Sequence, residues 1–530
     1  MAVSIFNDVI GPVMRGPSSS HCAAALRIGK IARDLMDGDI SEVLVEFDRQ
    51  GSLPMTHASQ GSDMGLFGGL LGWSASDARL PDSAKALADA GVKLRFETVD
   101  AGDPHPNTYR LTLKNLREEH SLIAISTGGG MIEVIDVDGF PARMDGGYHE
   151  TLIWLPGETR FEFDGEEVIS HEIGDQRLVQ VKDTAFVPDA TIEPLDTFLV
   201  KRISPVLPVP SRRSIAVPFT TCNEMLAFDD SSDVPLWKHA VAYECARGQL
   251  TEREVVDMMV DIVRVVRRSI GEGLAGTSYE DRVLGFQSGG FEQQMKDGRL
   301  LNAGALNRII LYVTAMMEVK SSMGVIVAMP TAGACAALPG AVLAMGEEMK
   351  LEEEDLARAL LAAGLIGVFI AAAWTFAAEE GGCQAEGGSA SAMGAAALVT
   401  MAGGTLKQTI AAASMALQNM IGLICDPIAN RVEAPCLGKN TMAAANALAC
   451  ANMAMAGYDE VIPLDEVIET AKRVSAQMPR ELRCTALGGL STTPTSKRIE
   501  QQLASGCGPC ACPGKKPNAI SQQEQSGSHA

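Results

Sequence analysis

Residues 360–388 read LLAAGLIGVFIAAAWTFAAEEGGCQAEGG, and the fold turns on how residues 360–378 are taken. A run of that length and apolarity is long enough to cross a bilayer. Its alanine and glycine content, and the cysteine-bearing loop that follows at once, favour instead a central helix buried in a helical domain. That loop, G-G-C-Q-A-E-G-G, carries Cys383 between glycines. Further on, two more cysteines stand in similar breaks: C-D-P-I at Cys425 and A-P-C-L-G-K-N at Cys436. Each break lies between long Ala/Leu/Met-rich segments with helical character, so the thiols are expected at helix ends. A helix N-terminus favours the thiolate, the form that binds metal.

Three cysteines in matching contexts are an informative set. A structural zinc site takes four closed ligands, whereas a catalytic metal keeps one position open for water or substrate. A [4Fe-4S] cluster with one iron free of cysteine would be such a Lewis acid. On spacing alone, ordinary buried thiols of an alanine-rich core account for the three more simply, because cysteine is among the most buried residue types.

The rest of the chain sets bounds. At 530 residues with 46% hydrophobic content it is long enough for two or three domains. A formal charge of −22 argues against nucleic acid or an anionic membrane as partner. The start, MAVSIFNDVIGP, has no basic segment followed by an apolar run and cleavage site, so a cytoplasmic location with the twelve cysteines reduced is expected.

Residues 1–185 alternate strand-like runs with turns: VLVEF (43–47), KLRFETV (93–99), TYRLTLK (108–114), SLIAIS (121–126), TLIWL (151–155), RFEFDG (160–165) and RLVQV (177–181). Period-two alternation predicts an α+β domain with a mixed sheet. Residues 186–218 are Pro-rich and read as a linker. From 219 to 503 the composition shifts to Ala, Leu, Met and Glu, predicting a large all-α domain that carries the three cysteines. Within it, Thr251 and Glu254 form a capping box opening a helix through Ile270. Residues 504–530, with Cys507, Cys510 and Cys512 in C-x-x-C-x-C followed by a polar run, read as a disordered tail.

Two further stretches carry hydrogen-bonding groups. G-P-S-S-S-H, residues 16–21, is by itself an N-cap turn. S-M-G-V-I-V-A-M-P-T-A-G, residues 322–333, is a short strand-like run ending in a loop that presents Thr331 and backbone amides.

Together with G-C-Q-A-E-G-G (382–388), C-D-P-I (425–428), P-C-L-G-K-N (435–440) and T-A-L-G-G-L (485–490), these stretches resemble the iron–sulfur-dependent L-serine ammonia-lyases, in family order over nearly the whole chain. The resemblance implies that Cys383, Cys425 and Cys436 hold a [4Fe-4S] cluster with no pyridoxal phosphate. It also implies that Ser18, Ser19, Ser20, Ser322, Thr331, Gly333 and Asn440 contact a small amino-acid substrate. The implied reaction is conversion of L-serine to pyruvate and ammonia by a homodimer. A sister lyase acting on threonine, 3-hydroxyaspartate or cysteine, or a cluster-bearing redox sensor, are the alternatives. An electron carrier would close its cluster with four cysteines.

The chain departs from the family at the proton acceptor. Where the family carries G-S, six residues, then G-H-G-T-D, residues 51–63 read GSLPMTHASQGSD, which puts Gln60 at the histidine position. An amide is no general base, so either His57 or His21 serves, or the substrate and base differ from those of the serine enzymes.

Overall fold

The computed structural model describes residues 2–505 except 59, 213–214, 229–233 and 281, and only the backbone of 55 and 430. The C-x-x-C-x-C segment lies outside the described residues.

An N-terminal α/β region with mixed sheets is followed by a helix-rich region. The strands are β1 (Val13–Arg15), β2 (Glu42–Asp48), β3 (Lys93–Val99), β4 (Thr108–Lys114), β5 (Glu119–Gly128), β6 (Met131–Val137), β7 (Phe140–Met144), β8 (His149–Pro156), β9 (Glu167–Ile173), β10 (Gln176–Asp183), β11 (Leu199–Ile203) and β12 (Val325–Val327). Six of them form a sheet in the order β3-β2-β4-β5-β6-β7, in which only β2 and β3 pair in parallel. Alternation along β2 and β4 buries Val43, Val45, Phe47, Tyr109, Leu111 and Leu113 in one core with Ile28, Ile31 and Leu35 of the helix Ala24–Leu35. This is the inward face that a period-two pattern requires.

A four-stranded sheet follows, in the order β11-β8-β10-β9. β11 comes from the Pro-rich stretch: residues 199–203 are free of proline, keep their backbone donors and pair with β8. RFEFDG, expected as a strand, forms none. Phe161 and Phe163 stack with ring centroids 5.5 Å apart and pack against the small core under this sheet, and that burial explains the apolar alternation without a ladder.

The centre of the helical region is the helix Glu353–Ala373, opened by a capping box between Glu352 and Asp355. It begins before Leu360 and stops short of Ala378, because the backbone leaves helical geometry at Trp374 (φ −146°, ψ −147°). Its apolar window is 78% buried. The cover comes from the helices Leu236–Gly248, Glu252–Ala275 and Ser389–Met401, and also from the N-terminal turn Ile5–Val9. Gly364 and Gly367 allow that turn to approach: a Cβ at Gly364 would lie 2.6 Å from Ile5 Cγ2, and one at Gly367 2.1 Å from Val9 Cγ1. The first residues of the chain thus belong to the helical core. The Thr251 capping box is present, and its helix runs on to Ala275.

β1 and β12 pair antiparallel, Arg15 opposite Val325. This two-stranded ladder lays the G-P-S-S-S-H loop alongside residues 322–324, and Arg15 Nη1 donates to the Met323 carbonyl at 3.2 Å.

Candidate active site

The cysteine-bearing loops are brought together by main-chain and amide contacts. Cys383 caps the π-helical turn Gln384–Gly388, which runs into the helix Ser389–Met401. Gln384 ties this turn to the next loop: its N–H donates to the Leu423 carbonyl at 3.0 Å, and its Oε1 accepts from Gly422 N–H at 2.7 Å. Cys425 is bridged in parallel to Arg483, with Cys425 N–H donating to Leu482 O at 2.8 Å and Cys484 N–H to Cys425 O at 3.0 Å. Cys436 is the first residue of the helix Cys436–Met455.

The sulfurs of Cys383 and Cys425 and a carboxylate oxygen of Glu386 lie within 4.8 Å of one another. Cys436, also buried, stands outside that triangle but close enough for Cys383, Glu386 and Cys484 to oppose its ionisation. Lys439 donates to Ile424 O and Asp426 Oδ1, both at 2.6 Å, and approaches Cys383 Sγ at 3.6 Å. It is a fixed positive charge beside the thiols.

Burial overrides the helix-end effect expected from sequence. The Cys425 thiol is pushed up by hydrogen bonding with the Cys383 and Cys484 thiols and by burial, and Cys436 is pushed up chiefly by burial. Desolvation disfavours the thiolate more than a helix N-terminus favours it. Metal binding releases such protons, so these thiols suit a site charged by its metal.

Glu386 accepts from Thr331 Oγ1 at 2.7 Å, and burial pushes its carboxyl up to about 7. A Cβ at Gly333 would fall 2.6 Å from Glu386 Oε1, so only glycine leaves the carboxylate its place there. Both ends of the Asn440 amide are used by the protein. Its Oδ1 accepts from Ala336 and Ala337 N–H (3.2 and 3.0 Å), and its Nδ2 donates to Gly333 and Cys436 carbonyls (2.8 and 2.9 Å). Asn440 therefore positions the 333–337 loop against the cysteine helix. Ser322 accepts from the buried Arg282 guanidinium, which also reaches Thr277.

The two histidines sit in different settings. Thr56 Oγ1 donates to Ser52 O at 2.8 Å, so toward His21 Nε2, at 3.0 Å, it accepts. His21 is thus the Nε2–H tautomer, and its Nδ1 accepts from Ser18 Oγ at 2.9 Å. Burial lowers His21 to about 4, leaving it neutral with both nitrogens occupied. His57 Nδ1 meets Asp63 Oδ1 at 2.7 Å, and its ring stacks on Phe96 at 5.1 Å between centroids. With Nδ1–H held by a carboxylate, Nε2 is the basic nitrogen. Ser20 O accepts from Ser126 Oγ at 2.7 Å, which ties the serine loop to β5, and Ser19 is buried. Gln60 lies in the turn after His57, its N–H bonded to Thr56 O.

Residues 231–491, which include all four of these cysteines, match the serine dehydratase alpha chain family. The probable L-serine dehydratase alpha chain of Bacillus subtilis is 34% identical over 288 residues, 54% of this chain and 96% of that one. The chain belongs to the L-serine dehydratase family. The L-serine dehydratase of Streptomyces coelicolor is 28% identical over 93% of this chain and 99% of its own length. The probable beta chain from Bacillus subtilis is 39% identical over 150 residues, 28% of this chain and 67% of that one. Both kinds of sequence thus run through one polypeptide, as in the single-chain L-serine dehydratases. The family is one of carbon–nitrogen lyases, and the chain is an enzyme of that family.

Several residues of this site escape a reading of the sequence. Glu386 lies inside G-C-Q-A-E-G-G, and a carboxylate three residues past a ligand-type cysteine was a usable signal. Asp63, the partner of His57, stands in the G-S-D that follows Gln60. Cys484 adjoins T-A-L-G-G-L without a Gly/Pro break around it, and nothing local marks it as a neighbour of Cys425.

Proposed function

We propose that the chain is an iron–sulfur-dependent dehydratase that converts L-serine to pyruvate and ammonia. The names of its relatives support the substrate. The observation that carries the cofactor is the donor set, two buried thiols and a carboxylate within 4.8 Å with a third thiol at the adjoining helix start. Converging thiols beside a fixed cation are the soft, charge-balanced environment that iron–sulfur clusters take. Cys383, Cys425 and Cys436 are the residues that would hold a [4Fe-4S] cluster. Bound there, the cluster would supply a Lewis-acidic iron that helps the 3-hydroxyl to leave.

The chain's own groups do the rest. His57 Nε2 takes the Cα proton, while Asp63 fixes the tautomer and stabilises the imidazolium that results. Neutral His21 orients Ser18 and Thr56 and keeps added positive charge out of the loop. Ser18, Ser19 and Ser20 lie at the start of the helical run 19–35, where N–H groups favour the substrate carboxylate. Thr331 and Gly333 set the position of Glu386, and Arg282 sets that of Ser322. The enamine product tautomerises and hydrolyses without further help. The reaction asks for no pyridoxal phosphate, and Lys439 is committed to Asp426 and Ile424.

Anaerobic reconstitution with iron and sulfide, followed by 2-oxo acid release from L-serine, L-threonine, 3-hydroxyaspartate and L-cysteine, tests the reading. Pyruvate from serine, dependent on iron, is the expected result. Equal turnover by metal-free protein, or no 2-oxo acid from any of the four with iron bound, overturns it.

A further inference from the structure

We propose that Lys320 is the counter-charge of the thiol site, a positioning residue whose buried ammonium offsets the negative charge that three thiolates bring when the cluster is bound. The inference rests on the iron–sulfur reading above and adds a residue to it. Lys320 stands in the last turn of the helix Ala305–Ser321, which packs against the cysteine helix Cys436–Met455, and it is fully buried. Its Nζ donates to the carbonyl of Val432, in the loop that leads into Cys436.

A buried charge is ordinarily paired or bound to a metal, because leaving water without a partner is costly. Lys320 forms no ion pair with any of the described residues, and its bond is to a neutral carbonyl. The acids beside it in the chain are engaged elsewhere. Glu318, on the same helix, accepts from Gln287 N–H, Ser288 N–H and Ser288 Oγ. Glu433, next to Val432, accepts from Val283 and Leu284 N–H at 2.9 and 2.8 Å. Lys439 differs, since its ion pair with Asp426 already offsets its charge. Burial disfavours the charged forms of Cys335, Glu386, Glu433 and Cys436, and the charge of Lys320 acts against burial at each of them. Lys320 thus lies within electrostatic reach of one thiol of the donor set and of the Glu386 carboxyl, with no anion of its own until thiols there lose their protons.

Binding of the cluster supplies that anion. Three thiolates on an oxidised [4Fe-4S] core carry net negative charge, and a fixed opposite charge in a dry setting stabilises it. Two consequences separate this role from mere support of the Val432 loop. Without metal, the unpaired ammonium costs stability, so an apolar residue of similar length in its place leaves the fold as stable as before or more so. With the cluster bound, removing the positive charge disfavours an added electron and lowers the reduction potential.

The test uses the full chain with Lys320→Met, which removes both charge and donor, and Lys320→Gln, which removes the charge and keeps a donor for Val432 O. Urea unfolding of the metal-free proteins is one readout. The other, after anaerobic reconstitution with iron and sulfide, is potentiometric titration of the cluster absorption. Metal-free Lys320→Met is expected to unfold at a urea midpoint equal to or above that of the wild type. Both loaded variants are expected to shift the balance of oxidised over reduced cluster tenfold or more, a fall in potential of about 59 mV or more for one electron. Loss of bound iron from both variants, with the metal-free fold intact, is the same effect carried further. A shift under tenfold in both with iron retained overturns the counter-charge assignment alone. So does an effect in Lys320→Met that Lys320→Gln restores, which makes the Val432 bond the cause. A metal-free Lys320→Met that unfolds more readily than wild type, or does not fold, also overturns it, because Lys320 is then a support of the fold. A wild-type protein that binds no iron and releases no pyruvate overturns the iron–sulfur reading and this inference together.

Discussion

Cys425 is held by two main-chain hydrogen bonds to residues 482 and 484 and is almost fully buried, whereas the His57 imidazole is oriented by the Asp63 carboxylate and by stacking on Phe96 and is 23% exposed. The cysteine loops are built from backbone contacts and amide staples, such as Gln384 to Gly422 and Asn440 to residues 333–337. The histidine side chains are oriented by side-chain pairs, Ser18 with His21, His21 with Thr56 and His57 with Asp63. Backbone scaffolding fixes a site whatever the neighbouring side chains are, which suits ligands that must converge before a metal arrives. Side-chain scaffolding leaves a group adjustable, which suits a base that must meet a moving proton.

The comparison is broken most severely at the cysteines. Cys383→Ser, Cys425→Ser or Cys436→Ser is expected to abolish turnover and most bound iron, because each supplies a thiolate to the proposed cluster. Cys222→Ser or Cys450→Ser, remote from the donor set, should leave iron content near that of the wild type. Iron analysis and visible absorption of each reconstituted variant decide it, and normal iron in all three of the first set refutes the ligand assignment.

At the histidines the loss is expected to be large but confined to chemistry. His57→Ala should lower turnover by roughly 10²–10⁴-fold, the range for a general acid–base group, with absorption unchanged. Asp63→Asn should cause a smaller fall. Gln60→His should be tolerated. If His21→Ala alone abolishes solvent exchange of the Cα proton, the base is His21 instead.

His21 has a second signature, in stability. Its pKa is depressed in the fold to about 4 against an ordinary 6.5, so the unfolded chain binds the proton more tightly. The stability this group contributes is present above pH 6.5 and is lost as pH falls through 4. The loss is on the order of 3 kcal/mol. Urea unfolding at pH 7 and pH 4.5 should show His21→Gln losing less stability on acidification than wild type, and parallel losses would contradict the assignment.

A smaller effect is expected from Asn440→Ala. Removing the amide leaves buried N–H and carbonyl groups of the 333–337 loop and of Cys436 unpaired, at roughly 1–3 kcal/mol per orphaned group less what water recovers. Urea midpoints measure it. A fall in stability with KM for serine unchanged marks Asn440 as scaffold, and a raised KM at unchanged stability marks it as a substrate contact. The smallest change is expected from stopping the chain at Ala504, which should retain iron and turnover. Loss of both would bring Cys507, Cys510 or Cys512 into the site.

Much of the architecture is local and so was open to reading. β3 and β4 coincide with KLRFETV and TYRLTLK, and the Thr251 capping box opens its helix, because alternation and capping depend on neighbours within a few residues. The breaks around Cys383, Cys425 and Cys436 are equally local. What tertiary structure alone decided is what meets across the chain. The turn Ile5–Val9 lies in the helical core because Gly364 and Gly367 leave room for it, and no pattern near residue 5 says so. Burial raised the Cys436 thiol where its helix-end position promised a thiolate, since desolvation depends on what covers a group. Cys484, unmarked by any motif of its own, became a neighbour of Cys425 through a backbone bridge between residues about sixty positions apart, because ladder pairing is set by the path of the whole chain.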